Sequence, residues 1–110
     1  MIVLPAKVTS VNTRVFLDVD PRTLHLPNAR RSGADPTKLH RQIARFGTSI
    51  AGMPPLLVSR GSDGELVIND GVTRATRVAK LLPRVAIRVE VIDDLPIPVG
   101  SYPSVGDLLP

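Results

Sequence analysis

The chain has 110 residues, 43% hydrophobic and 3% aromatic, so it can hold one domain with an aliphatic core but few rings for stacking on bases. It has no cysteine, which excludes disulfide frameworks, zinc ribbons and thiol nucleophiles. The net charge is +4, and Lys and Arg cluster in residues 22–45 and 70–88, which favours a partner that carries phosphate. An ordinary solvated surface with an arginine excess is the alternative.

The first half of the chain predicts a strand and a helix. Residues 8–19 are rich in β-branched side chains and predict at least one strand, whereas residues 24–31 look irregular. A helix is predicted from Pro36 to Phe46, because Asp35 can cap its start and Gly47 can end it. The apolar stripe of this helix consists of Leu39, Ile43 and Phe46.

The second half predicts a hairpin, a helix and a last strand. Residues 55–59 and 66–69 form the hairpin, residues 72–82 the helix, and residues 85–91 the strand. The order of elements predicts a small α+β domain over residues 1–94, with a mixed sheet and two or more helices. The proline-rich segment 95–110 is expected to be an extended arm or a linker.

No segment has the length and apolarity of a membrane span, and the first residues do not resemble a signal peptide. We therefore expect a cytoplasmic protein without a membrane partner. The acidic and histidine side chains do not suggest a metal site. Asp63 and Glu65 are interpreted as turn residues, and His25 and His40 are isolated.

The strongest candidate site is the turn at residues 69–74, where a predicted strand runs directly into a helix. Such a start leaves backbone N–H groups unpaired, and these amides and the helix dipole attract anions. Gly71 lets a ligand approach the backbone, Thr73 offers a hydroxyl, and Arg74 offers a planar guanidinium that suits a phosphate. In the alternative interpretation, Asp70 only caps the helix and the turn binds nothing.

The stretch from residue 67 to residue 82, VINDGVTRATRVAKLL, resembles the signature of ParB-like domains, a superfamily that also includes sulfiredoxin. In that family a strand enters a Gly-x-x-Arg turn, which opens a helix with small apolar residues. The positions that match this pattern are Gly71, Arg74 and Ala79. Residues 27–31 (PNARR) and 49–58 (SIAGMPPLLV) resemble two further family segments in the same order.

This resemblance covers residues 19–92 and implies a ParB/sulfiredoxin-like fold with a site for nucleotide or nucleic-acid phosphates. The phosphate-binding residues expected there are Gly71, Val72, Thr73, Arg74, Arg77, Asn28, Arg30 and Arg31. Two departures from the family pattern narrow the range of functions that we expect. Val72 and Thr73 stand where chromosome-segregation members carry an acidic residue and a second arginine, and the essential cysteine of sulfiredoxin has no counterpart. With no helix-turn-helix visible downstream, neither centromere recognition nor sulfiredoxin activity is expected.

Three functions remain open. The first is binding of a nucleotide or a nucleic-acid backbone, with Mg²⁺ and CTP or ATP as candidate cofactors. The second is a nuclease, nucleotide hydrolase or phosphotransferase, with Asp70 and Arg74 as candidate catalytic residues, because phosphoryl transfer needs a carboxylate-held metal or a general base. The third is a protein-interaction module whose proline-rich segment docks on a sister subunit or within a larger assembly.

A second basic surface is predicted on the first helix. Lys38, Arg41 and Arg45 lie away from its apolar stripe and are candidates for non-specific contacts with the phosphates of duplex DNA. No motif that reads the major groove is visible, so sequence-specific recognition is not expected.

Overall fold

The computed structural model describes residues 14–109, and the predicted strand positions 8–13 lie outside them. In this part of the chain, four strands form one mixed sheet that carries two α-helices, which confirms the predicted α+β class. The strands are β1 (Val15–Val19), β2 (Leu56–Arg60), β3 (Leu66–Asp70) and β4 (Ile87–Asp94), and the helices are α1 (Pro36–Phe46) and α2 (Val72–Leu81). Short 3₁₀ turns span Pro21–Thr23, Asn28–Arg30 and Gly106–Leu108.

The strand order in the sheet is β1-β4-β2-β3. The last strand is therefore inserted between the first strand and the hairpin. It runs antiparallel to β1, with Val15 opposite Val91, and parallel to β2, with Leu56 opposite Val89. The hairpin of β2 and β3 is antiparallel, as predicted. This order puts β1 at one edge of the sheet, and β3 with the start of α2 at the other.

The boundaries of α1 follow the predicted signals. The Asp35 carboxylate accepts hydrogen bonds from the backbone N–H groups of Thr37 and Lys38, at 2.8 and 3.2 Å. Gly47 ends the helix with a positive φ of 53°, a conformation that glycine adopts without a steric penalty. The apolar stripe of α1 is only partly covered, because the helix packs on α2 rather than on the sheet.

The core lies between the sheet and α2 and is aliphatic, as the composition predicts. Helix α2 buries the small face predicted for it, at Ala75, Val78 and Ala79. The sheet contributes Leu56, Val58, Ile68, Ile87 and Val89, and the segments outside it contribute Leu24, Leu26 and Val105. The small face of α2 belongs to the same buried cluster as these side chains, and a Cβ on Gly71 would overlap Leu56 of β2, so the start of the helix lies against the sheet.

The proline-rich segment is not the extended arm or linker that we expected. Over residues 95–109 it folds back on the domain, and the side chains of Val99 and Val105 are buried. The backbone N–H of Leu26 donates to the carbonyl of Pro103 at 2.8 Å, and that of Val105 donates to the carbonyl of Leu24 at 2.8 Å. Isolated apolar residues between prolines show no periodicity in the sequence, which is why this packing could not be predicted.

Candidate phosphate-binding site

An open cavity of about 690 Å³ lies beside the start of α2. Three segments that are distant in the sequence line it: the turn before α1, one face of α1, and the connection from β3 to α2. The lining residues are Pro27, Ala29, Arg30, Lys38, Gln42, Ile68, Asn69, Asp70, Gly71, Val72, Thr73 and Arg74. The predicted turn therefore forms one wall of a cleft, and the cleft is large enough for a group the size of a nucleotide.

The turn itself depends on Gly71. Its φ of +114° is left-handed, and a Cβ at this position would lie 2.6 Å from Cγ of the buried Leu56. Gly71 is the N-cap of α2, and no side chain caps the helix. The first intrahelical bond runs from the N–H of Ala75 to the carbonyl of Gly71, so the N–H groups of the three preceding residues begin the helix without a capping acceptor. The alternative in which Asp70 caps the helix is wrong.

Arg74 is held at the border of the cavity by two contacts. Its Nη1 donates to the backbone carbonyl of Pro54 at 2.9 Å, and its Nη2 lies 3.3 Å from Oδ2 of Asp70. The Arg74 side chain is 17% exposed, whereas that of Asp70 is 70% exposed. Because a guanidinium carries five N–H groups, these contacts leave donors free for a ligand. The Asp70 contact is solvent-exposed, and such ion pairs contribute little to stability.

Two further cations reach the cavity from the other wall. Arg30 comes from the turn Asn28–Arg30, and Lys38 comes from the first turn of α1. Both residues are exposed, and within residues 14–109 neither forms a salt bridge. The ionised groups of the lining are thus Arg30, Lys38 and Arg74 against Asp70, three positive charges and one negative. Such a lining attracts an anion.

Arg77 was expected to bind phosphate, but the structure gives it another role. Its side chain is 2% exposed, and its Nη1 donates to the carbonyls of Gly47 and Ser49 at 2.7 and 2.9 Å. Its Nε donates to Oε1 of Gln42 at 3.3 Å. Burial lowers the pKa of this guanidinium. Arg77 therefore ties α2 to the C-terminal end of α1. It faces away from the phosphate cavity because its position on α2 points toward the other helix.

The other predicted residues are distributed as follows. Asn28 and Arg31 are exposed beside the cavity but do not line it, and Arg41 and Arg45 lie on the outer surface of α1. The Arg45 guanidinium lies 5.2 Å from the centre of the Phe46 ring. Lys38, predicted as part of a DNA-binding face, also lines the same cavity as Arg74. Arg41 and Arg45 follow it at i+3 and i+7, so the three exposed side chains share one side of α1, and contact of this face with DNA stays a prediction.

One polar cavity residue, Gln42, was missed in the sequence, and Asn69 of the predicted turn was given no role there. Gln42 lies one helical turn after Lys38, and this i, i+4 spacing could have suggested that both face one side. Asn69 is the penultimate residue of β3, and its side-chain amide lies 2.9 Å from the hydroxyl of the buried Ser59. The contact orients the Asn69 amide at the cavity wall. No local signal links Asn69 to Ser59, because the hairpin register decides which residues are neighbours.

A second cavity, of about 380 Å³, adjoins the first. The two share Gln42, Asp70 and Arg74, so Arg74 stands at the boundary between them. The second cavity has apolar side chains on its far side, at Phe46, Ala51, Met53 and Pro54. Arg77 and Ser49 also line this second cavity. The site thus combines a basic compartment with a more apolar one, and Arg74 lies between them.

A scan of protein-family models gave no match for this chain, and a search of curated proteins gave none either. Within residues 14–109, no group of three or more His, Asp or Glu side chains is arranged to hold a metal ion. No helix in the described part of the chain is long and apolar enough to cross a bilayer.

Proposed function

We propose that this chain is a ParB/sulfiredoxin-like domain of the cytoplasm that binds a nucleotide, with the phosphates held at the Gly71–Arg74 turn. One observation carries the proposal: an uncapped helix start and three cations from separate segments line a single cavity. Backbone N–H groups at a helix start and guanidinium groups are the donors that proteins commonly present to phosphate. The resemblance of residues 67–82 to the ParB-like signature supports the same ligand.

The two compartments favour a nucleotide over free phosphate. A phosphate chain bound to the amides of Val72 and Thr73 would reach Arg30 and Lys38 across the cavity. The attached nucleoside would then extend past Arg74 toward Phe46 and the apolar side chains beside it. Mg²⁺ in such sites is usually held by one or two carboxylates together with the phosphates of the ligand. Asp70 is the carboxylate of this lining and fits that role.

Titration calorimetry with CTP, ATP, GTP and UTP in the presence of Mg²⁺ tests the proposal. We expect Arg74→Ala to weaken binding by about 10- to 100-fold. This is the effect of losing one charge-assisted hydrogen bond to the phosphate, which is worth about 1.5–3 kcal/mol. Arg41→Ala is the matched control, since Arg41 is an exposed arginine of α1 outside the cavity. Equal affinity of the Arg74→Ala and Arg41→Ala variants, or no binding of any nucleotide, would refute the proposal.

Arg74→Ala also removes the hydrogen bond to the Pro54 carbonyl, so it could weaken binding by disturbing the fold. A second variant separates these two effects. Arg30 and Lys38 make no side-chain hydrogen bond within the described residues, so the double variant Arg30→Ala/Lys38→Ala should fold normally. It should still lose affinity for nucleotide. The loss should be larger at low salt, because exposed charges are screened as ionic strength rises.

Phosphoryl transfer in the same cavity is the second candidate function. The observation that favours it is the exposed Asp70 carboxylate, 3.3 Å from the Arg74 guanidinium at the cavity wall. This pair could place a metal and stabilise charge on a transferring phosphoryl group. Incubation with nucleoside triphosphates and with supercoiled plasmid in Mg²⁺ should reveal turnover. Asp70→Asn should abolish turnover while binding nucleotide as tightly as the wild type when Mg²⁺ is left out.

A further inference from the structure

Strand β1 is an edge strand with an unusually apolar surface. It pairs with β4 on one side, and within residues 14–109 no strand lies on its other side. Val15, Phe16 and Leu17 are 37%, 40% and 37% exposed. Its pairing with β4 has no bulge, and the strand contains no lysine or proline. Natural edge strands usually carry such features to prevent pairing with another chain, and among residues 14–109 nothing pairs with the outer edge of β1.

The sequence of this strand is complementary to itself. Read from Arg14 to Asp18 it is RVFLD, with a cation and an anion at equal distances from Phe16. In an antiparallel pair of two such strands centred on Phe16, Arg14 faces Asp18 of the partner subunit. Val15 faces Leu17 of the partner subunit. Opposite residues of antiparallel strands share a face and contact each other, so both the charged and the apolar positions match.

The charges also select the direction and register of pairing. A parallel pair in register would put Arg14 opposite Arg14 of the partner subunit and Asp18 opposite Asp18 of the partner subunit, which is destabilising. A shift of two residues in the antiparallel pair would put Asp18 opposite Phe16 of the partner subunit and would move Arg14 to face Asp20 of the partner subunit, which lies beyond the end of β1. The arrangement centred on Phe16 brings both ion pairs and the apolar contacts together.

Neighbouring charges on β4 continue the pattern. Within the chain, Arg88 Nε lies 3.4 Å from Asp18 Oδ1, and Arg14 Nε lies 3.6 Å from Glu90 Oε2. Across the proposed strand pair these contacts would extend into rows of alternating sign, from Arg88 through Asp18 to Arg14 of the partner subunit. Exposed pairs contribute little singly, but a network of them on one sheet face contributes more.

We propose that β1 pairs antiparallel with β1 of a second copy of this chain, forming a twofold dimer with one continuous sheet of eight strands. The interface is small and therefore gives a reversible monomer–dimer equilibrium rather than an obligate dimer. It lies at the edge of the sheet opposite β3 and the phosphate cavity. The dimer thus leaves both nucleotide cavities open.

Sedimentation velocity of the full chain over a range of concentrations tests this dimer. We expect the wild type to dimerise as concentration rises. Asp18→Arg and Arg14→Asp should each weaken the dimer about tenfold or more, because each places two like-charge pairs in the interface. Mixing the two variants should restore dimerisation, since the heterodimer again pairs each cation with an anion. The double variant Arg14→Asp/Asp18→Arg restores opposite charges across the interface but places like charges beside Arg88 and Glu90 within each subunit. It should therefore dimerise more strongly than either single variant and less strongly than the wild type.

Asp94→Arg is the matched control. It removes an exposed ion pair of similar geometry, 3.4 Å between Asp94 Oδ1 and Arg60 Nε, away from the β1 edge. It should leave the dimer unchanged. A wild type that stays monomeric at every concentration would overturn the proposal, as would charge variants that sediment like Asp94→Arg or fail to associate on mixing. Nucleotide titration of Asp18→Arg reports separately on the cavity, so the two proposals can fail independently.

Discussion

At the scale of single residues, Gly71 sets the geometry of the turn. We predict that Gly71→Ala lowers the free energy of unfolding by about 2–4 kcal/mol, the sum of left-handed strain and the overlap with Leu56. Gly64→Ala is the matched control, because its φ is +83° but nothing lies within 4 Å of the added Cβ. This control should cost about 1 kcal/mol. Urea denaturation measures both, and equal losses would contradict the close approach to Leu56.

Arg77 shows how one buried residue can resemble a ligand-binding residue in the sequence. We predict that Arg77→Met, which keeps an apolar stem, lowers the free energy of unfolding by about 2–3 kcal/mol, because the carbonyls of Gly47 and Ser49 lose a charged donor. Hydrogen exchange should rise at the end of α1. Arg45→Met, at an exposed position, should change stability by less than about 0.5 kcal/mol. Loss of nucleotide affinity without loss of stability in Arg77→Met would contradict this structural role.

At the scale of elements, the hairpin of β2 and β3 holds the proline-rich segment in place. The Asp63 carboxylate at its tip accepts from the backbone N–H of Gly100 at 2.8 Å and of Val99 at 3.3 Å. Glu65 Oε1 lies 3.0 Å from Nε2 of His25, and Nδ1 of the same ring lies 2.8 Å from the carbonyl of Tyr102. Both acidic residues thus act in docking this segment rather than only in the turn.

The Asp63 contacts predict a dependence of stability on pH. Burial raises the pKa of Asp63, but the backbone N–H groups of Gly100, Val99 and Glu65 lower it by more, so it lies below its ordinary value of 3.8. The folded state therefore binds fewer protons than the unfolded state near that value. Stability from Asp63 is complete above about pH 4 and is lost as the pH falls through the lowered pKa.

Asp63→Asn should be less stable than wild type at pH 7, and the difference should shrink as the pH falls below about 4. Denaturant unfolding across this range measures it, and hydrogen exchange at residues 99–105 should be faster in the variant at neutral pH. Asp94→Asn is the control, because that carboxylate contacts the Arg60 side chain and not the proline-rich segment. A stability difference between wild type and Asp63→Asn that is constant with pH would contradict this assignment.

At the scale of the whole molecule, the two proposed surfaces lie at opposite edges of one sheet. The phosphate cavity adjoins β3 and α2, and the apolar strand β1 forms the other edge. Strand β4 separates β1 from the hairpin, because the chain crosses over after α2 instead of adding its last strand at the edge. This crossover leaves an aliphatic edge strand free of the core helices, so a partner can pair there without disturbing the cavity.

Much of this architecture follows from local signals. Asp35, Pro36 and Gly47 predict the ends of α1, the turn at residues 61–64 predicts the hairpin, and the spacing of small residues predicts the buried face of α2. The turn at residues 69–74 was predicted as a helix start with free amides, and it is one. These features depend on interactions within a few residues, and such interactions can be recognised from the order of side chains.

Only the tertiary structure decided which distant residues share the cavity. Lys38 and Gln42 meet the Gly71–Arg74 turn because α1 packs on α2. The same contact turns Arg77 away from the phosphate cavity and toward the second one. The sequence alone likewise does not determine the strand order or the docking of residues 95–109 on the domain. The physical reason is common to all of these. Backbone conformation and capping act locally, whereas burial and charge pairing depend on which surfaces meet once the chain is compact.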